Sequence, residues 1–194
     1  MPRPKSFDPD TVLTKAMGVF WEKGYDAASI SDLTAAMGIN RFSLYDTFGD
    51  KHSLYLKALE SYEQSVLDPV LESINGFGSL DEMEDHFIEM IDHQREHQDA
   101  PCCMIQKAAI SMAGKDECTM ERVDHTRQRI NDAFIDVFTR LVEKGQIRDG
   151  MSAEQATWML MFVHTGITTY ASSCYPSVEI RKDAIRSLFA SIRA

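Results

Sequence analysis

The chain has 194 residues, room for one or two domains with a sizeable core, and its 44% hydrophobic and 26% charged content is that of a water-soluble globular protein. No apolar run approaches the roughly eighteen residues that span a bilayer, and the opening MPRPKSF lacks the apolar stretch of a secretory leader, so the reading is a cytoplasmic protein with no membrane partner. A net charge of −10 argues against nucleic acid until its distribution is considered. Residues 1–60 carry seven Lys and Arg against eight Asp and Glu, whereas residues 61–194 carry thirteen against twenty-two, so the acid belongs to the body.

Arg3 and Lys5 precede any periodic pattern and form a short basic arm, either a frayed terminus or a segment that reaches a neighbouring minor groove. Asp8 before Pro9 predicts a helix start, since proline is tolerated in the first turn. Val12, Leu13, Ala16, Met17, Phe20 and Trp21 give that helix one apolar stripe, and Gly24 stops it.

The stretch from Ser29 to Leu54 predicts a short helix, a tight turn, a second short helix and the start of a long one. Ser29 is a good N-cap with Asp32 three residues on, a capping-box spacing, and Gly38 supplies the left-handed position that ends the first segment. Asn40 caps the second, in which Phe42, Leu44, Tyr45 and Phe48 alternate with Ser43, Asp46 and Thr47 before Gly49 and Asp50 break it. Helices this short do not repay their own nucleation, so a third element must hold them. A helix, a short turn with glycine and a second helix form the DNA-binding helix-turn-helix, whose second helix enters the major groove.

From Lys51 a long helix runs through Leu54, Ala58, Leu59, Tyr62, Val66, Val70, Leu71 and Ile74, with a kink expected at the turn before Pro69, near Ser65. Further helices are predicted from Ser79 to about Gln98, over a short segment from Cys103 to Ala113, from about Thr119 to Lys144, from Ala153 to about Ser173 and after Ser177, this last with Val178, Ile185, Leu188 and Ile192 on one stripe. The segment 153–173 is apolar on nearly every face, which demands burial all round. In a domain of this size its outer face is expected to meet a second copy. The expectation is an all-α chain of nine helices and no strand, with a head over residues 1–50 and a helical effector-binding and dimerisation body over 51–194.

Gly24 and Tyr25, the segment Ile30 to Gly38, SLYDTFGDK from Ser43 to Lys51, and Leu54 together resemble the DNA-binding head of the TetR family of bacterial repressors. Phe42 and Asp46 depart from residues common in relatives. The resemblance implies a repressor with double-stranded operator DNA as partner, a homodimer joined through its last two helices, and a small-molecule effector in the body. Tyr45 and Lys51 match family positions that grip phosphates, and Arg41 and Ser43 stand near the start of the recognition helix, where by that resemblance bases are read. Ser29 and Thr47 complete the set of groups chemically apt for DNA.

Phe87, Met90, Met104, Met112, Phe134, Phe138, Trp158 and Phe162 are the candidate effector-binding residues, apolar and adaptable, or simply core if no cavity exists. Cys103, at an expected helix start, reads either as a redox-active thiol or as a small core residue. The four cysteines, Cys102, Cys103, Cys118 and Cys174, do not form a disulfide framework. His86, His93, His97 and His125 lack the spacing of a metal site, and the sequence gives no sign of a cofactor or of a nucleophile with its paired base.

Overall fold

The computed structural model describes residues 7–96, 103–169 and 176–194; Arg3, Lys5, His97, Cys102 and Cys174, and the expected helix ends at Gln98 and Ser173, lie outside the described residues. The elements are α1 (Pro9–Ala27), α2 (Ile30–Met37), α3 (Arg41–Phe48), α4 (Lys51–Tyr62), a π-helical turn (Glu63–Leu67), α5 (Asp68–Asn75), α6 (Leu80–Glu96), α7 (Met104–Met112), α8 (Glu117–Glu143), α9 (Ala153–Thr169) and α10 (Val178–Ile192). The π turn joins α4 to α5 without a break, so the continuous helical runs among the described residues number nine, as the sequence predicts. The described residues hold no strand, only an antiparallel bridge between Ile147 and Arg193. The fold is all-α.

Two compact units divide the chain, one of residues 1–68 with 103–124 and the other of 69–102 with 125–194. The first unit therefore extends past residue 50, taking in α4, the π turn, α7 and the beginning of α8.

In the first unit the local signals are realised as hydrogen bonds. Asp8 accepts the Thr11 N–H at 3.0 Å, Asn40 Oδ1 the Ser43 N–H at 2.8 Å and Asp50 Oδ1 the Ser53 N–H at 2.7 Å. Ser29 and Asp32 form the reciprocal capping box, and Gly38 ends α2 at φ 70°, where a side chain would be strained. Gly24 breaks the helical run where expected, adopting the non-helical φ 77° and ψ 172°, and a last turn to Ala27 follows beyond this bend. Phe20, Leu33, Leu44, Leu54 and Leu59 are fully buried together, joined by Met104, Ile105 and Ala108 of α7. Polar bonds add to that packing. Lys107 Nζ donates to the carbonyls of Trp21 at 2.8 Å and Glu22 at 2.9 Å, placing a cation on late carbonyls of α1 ahead of the Gly24 bend, where the helix dipole favours one. Asp116 meets His52 at 2.7 Å while also accepting the Thr119 N–H at 3.0 Å. The Thr119 bond first, and His52 second, hold the Asp116 carboxyl below its ordinary range.

The π turn changes the register of the long helix. Of the expected stripe Leu71 and Ile74 are buried, but Val66 is only half-buried and Val70 exposed, while Glu63 and Leu67, outside that stripe, are buried. One extra residue in a turn advances the phase of everything after it by about 100°, which moves the stripe on by one position. The expected disturbance near Ser65 is therefore a π turn just before Pro69, where the missing proline N–H already weakens the ladder. Ser65 Oγ donates to the Ser61 carbonyl at 2.6 Å across the same turn.

The second unit packs α6, α9 and α10 with the later part of α8. Ser152 and Gln155 form the expected capping box, and Ser177 caps α10. Arg193 donates to Asp81 at 2.6 Å and Glu84 at 3.0 Å, and Lys182 to Asp92 at 2.7 Å, tying α10 to α6. Inside, Phe87 lies 6.1 Å from Phe134, 6.3 Å from Phe189 and 5.6 Å from His164, ring centre to ring centre.

Burial pushes the His164 imidazole down to about 4, with the nearby His86 adding to the effect. Its folded value thus lies below its unfolded one, so the unfolded chain takes up a proton that the folded chain refuses. Stability is expected to decline as pH falls from about 6.5 toward 4, by at most about 1.4 kcal/mol per pH unit. In urea unfolding, His164→Gln should lose less stability than wild type between pH 7 and 5, by about 1 to 2 kcal/mol. Equal losses would mean that the folded chain takes up a proton at His164 as readily as the unfolded one.

Candidate nucleic-acid interface

α3 is held by two residues. Leu44 is fully buried and Phe48 nearly so, against α1, α2 and α4. Successive helical residues turn by about 100°, so this pair fixes which way every other side chain of α3 faces. Directly opposite the buried pair stand Phe42 and Asp46, both exposed. Arg41 and Tyr45 take one flank, and Ser43 and Thr47 the other.

Arg41 Nη2 donates to the Tyr45 hydroxyl at 3.3 Å, and its guanidinium carbon lies 5.5 Å from the Tyr45 ring centre. The two form one exposed, cationic, hydrogen-bonding edge. Ser43 is partly exposed, with its N–H committed to Asn40. Thr47 differs from expectation: its hydroxyl is buried and makes no hydrogen bond among the described residues. It lines a shallow recess with Pro9, Leu13, Phe48 and Lys57, on the side of α3 turned toward α1 and α4.

Lys51 begins α4, and its ammonium sits 4.5 Å from the centre of the Tyr25 ring, a cation–π contact. Tyr25 reaches this position because of the Gly24 bend, and it packs on Tyr55 at 5.0 Å and Phe20 at 6.3 Å. The glycine-aromatic pair thus supplies a platform that orients Lys51. Ser29 is exposed, but its hydroxyl is spent on the cap, accepting the Asp32 N–H at 3.0 Å and donating to Asp32 Oδ2 at 2.7 Å. Lys23 and then Ser29 hold the Asp32 carboxyl far below the carboxylate range.

The eight apolar candidates for effector contact do not form one group. Met104 and Met112 belong to the core of the first unit. Phe87, Phe134 and Phe138 are buried in the second, and Met90 is half-buried there. Trp158 and Phe162, 5.7 Å apart on α9, are 48% and 72% exposed and edge an open surface recess with Arg148, Glu154 and Gln155. Cys103 is half-buried at the start of α7 against the first unit's core, and Cys118 is exposed. No group of three or more potential metal ligands exists among the described residues.

Sequence reasoning passed over Phe42 and Asp46 as the outermost residues of α3, and Lys107 and Asp116 as polar supports of α1 and α4, which hold it. The first pair was accessible from the helical wheel once Leu44 and Phe48 were assigned to core. The bonds that make the second pair supports carried no local signal, because His52 and Trp21 are 64 and more residues away in the chain.

The family model described as bacterial regulatory proteins, tetR family, matches residues 12–58, which is α1 through most of α4. An uncharacterized HTH-type transcriptional regulator of Bacillus subtilis, YezE, is 34% identical over 148 residues, 76% of each chain. The HTH-type transcriptional repressor ComR of Escherichia coli is 45% identical over 60 residues, 31% of this chain and 29% of that one. Among solved structures, a cysteine mutant of the TetR family regulator CifR, complexed with 26 bp double-strand operator DNA, superposes with a TM-score of 0.83 at 26% identity, covering 97% of this chain and 99% of that one. The helix-turn-helix held on α1 and α4, the matching family model and a relative alike over three quarters of the chain lead to one assignment. The chain belongs to the tetR family of bacterial regulatory proteins and is a DNA-binding transcriptional regulator.

Proposed function

We propose that the protein is a homodimeric repressor that leaves its operator when a small molecule binds the helical body. The observation that carries the DNA-facing half of this reading is the exposed surface of α3, flanked by the Arg41–Tyr45 edge and by Lys51 on its Tyr25 platform. Repression is supported by relatives named as repressors, ComR among them. Two copies are supported by the apolar residues left exposed on the last two helices, Trp158, Phe162 and Ile180. The effector half draws on the aromatic cluster around Phe87, whose neighbours His86 and His164 bring polar edges into an apolar setting, a composition suited to an aromatic or amphipathic ligand. Release would be a population shift, the ligand favouring a separation of the two heads that misfits half-sites about one helical turn apart.

A genomic footprint of the purified protein, followed by small-molecule screening against the footprinted duplex, tests both halves. In this setting Lys51→Ala is expected to weaken binding to all duplexes and to lower the salt slope by roughly one to two units per dimer, because a phosphate that the lysine no longer neutralises keeps its condensed counterion. A slope equal to wild type in a folded variant would take Lys51 off the phosphate backbone.

A second reading has one observation in its favour. Cys103 begins α7, the helix that braces α1 through Lys107, so a modified thiol would disturb the support of the head. An oxidant that releases DNA from wild type without added ligand, but not from Cys103→Ser, would establish this thiol-based sensing. Indifference to oxidant would remove it.

A further inference from the structure

Phe42 is the most exposed large apolar residue on the described surface, at 78%, and it stands in the middle of the outward face of α3. An exposed phenylalanine needs no account when it is isolated on an inert surface. This one occupies the position on a recognition helix that projects deepest into whatever the helix meets. Nothing among the described residues claims it: Arg41 folds onto Tyr45, along the flank away from Asp46, and Leu44 and Phe48 point the opposite way. Its outward neighbour, Asp46, indicates which part of DNA this face meets. A carboxylate cannot lie against phosphate, whereas it can accept from amino groups that cytosine and adenine present in the major groove. Phosphates are left to the flanks, where Arg41, Tyr45 and Lys51 stand. The middle of α3 must therefore lie over base edges, and the apolar group on a major-groove base edge is the C5-methyl of thymine.

We propose that Phe42 is a specificity-determining residue that packs against a thymine methyl group in each operator half-site. This rests on the assignment of α3 as the DNA-reading helix and adds what it reads. A phenyl ring can cover one methyl, or two on adjacent thymines, and it gains nothing from cytosine, which lacks that group. The operator should thus hold a thymine at a fixed place in each half-site, within one base pair of an amino-bearing base that satisfies Asp46.

The test uses the full-length protein and its footprinted operator. Each thymine is replaced singly by deoxyuridine, which removes the methyl and keeps the pairing and hydrogen bonds. At one or two positions per half-site the wild type should bind about four-fold more weakly, the worth of one buried methyl group, and about sixteen-fold when both half-sites are changed. Phe42→Ala should bind the thymine and deoxyuridine operators equally, while keeping wild-type helicity and salt slope. Phe42→Leu should retain part of the discrimination. Methylating a cytosine at C5 in place of the contacted thymine should restore part of the affinity for wild type alone.

Wild type indifferent to every thymine methyl would overturn the proposal, as would a deoxyuridine penalty that persists in Phe42→Ala. If Phe42→Ala loses the same affinity for both operators, the ring acts as a wedge between base steps, which also overturns it. If Phe42→Ala alters the sedimentation of the free protein, the ring serves contacts between copies instead. A protein that binds no duplex with sequence preference would overturn the DNA-reading assignment of α3 itself, whereas sequence-specific binding without methyl dependence overturns only the role of Phe42.

Discussion

Arg122→Leu is expected to lower the unfolding free energy by about 3 kcal/mol, the usual cost of taking one partner from a mostly buried ion pair. Arg122 forks onto Glu63, its Nε donating to Oε1 at 3.1 Å and its Nη2 to Oε2 at 2.9 Å. The Glu63 side chain is only 10% exposed, so water cannot replace the guanidinium when it is removed. Two charge-assisted bonds in a planar fork also fix direction, and they hold the first residue of the π turn against the start of α8. The turn's extra residue stores a wider, weaker hydrogen-bond ladder, which persists only where surrounding groups over-determine it. Glu63→Met combined with Arg122→Leu should recover most of the loss, since apolar replacement of a buried pair is near neutral. Urea unfolding of the two variants provides the comparison. A loss below about 1 kcal/mol in Arg122→Leu would show that the pair behaves as a surface salt bridge.

Glu63 also marks where the sequence stops being legible. Caps and breakers act within four residues, which is why Ser29 with Asp32, Gly38, Asn40 and the Ser152–Gln155 box could be read directly from the chain. A π turn is different, because nothing local demands it. Pro69 signals a weakened ladder, but whether the helix kinks or admits an extra residue depends on what packs and bonds against it, here Arg122 from 59 residues away. The expected stripe followed an uninterrupted helix: its Leu71 and Ile74 are buried, but Val70 is turned out and Leu67, which it omitted, is turned in.

The candidate sites show the same division. Periodicity gives the inward face of each helix without saying which core that face enters, so Met104 and Met112 could be grouped with Phe87 although they pack with α1 and α4. On α3 the wheel itself was sufficient. Selecting residues by polarity favoured Thr47, whose hydroxyl is turned in, over Phe42 and Asp46, which are turned out. For α9, the all-round apolar pattern did carry information: Leu160 and Ile167 are buried in the chain itself, and Trp158 and Phe162 are left outside.

That exposed pair sets the remaining prediction, for which the stripe of α10 suggests the wrong residue. Leu188 is almost fully buried within its own chain, so a charge there would unfold the protomer and say nothing about assembly. Phe162 is 72% exposed and Ile180 55%, and a charge at either is solvated in a monomer. If α9 and α10 form the seam between two copies, a two-fold axis brings every substitution in twice, and each new carboxylate is buried without a partner. An uncompensated buried ion costs several kcal/mol, so Phe162→Glu is expected to weaken dimerisation by roughly a thousand-fold or more. Helicity and the urea midpoint of the monomer should stay near wild type, because the side chain contributes little to its own chain's core. DNA affinity should drop with it, since one head then holds one half-site. Sedimentation velocity at micromolar concentration separates the outcomes. A Phe162→Glu protein that still sediments as a dimer would place the seam elsewhere, and one that sediments as a monomer yet binds the full operator with wild-type affinity would detach DNA recognition from dimerisation.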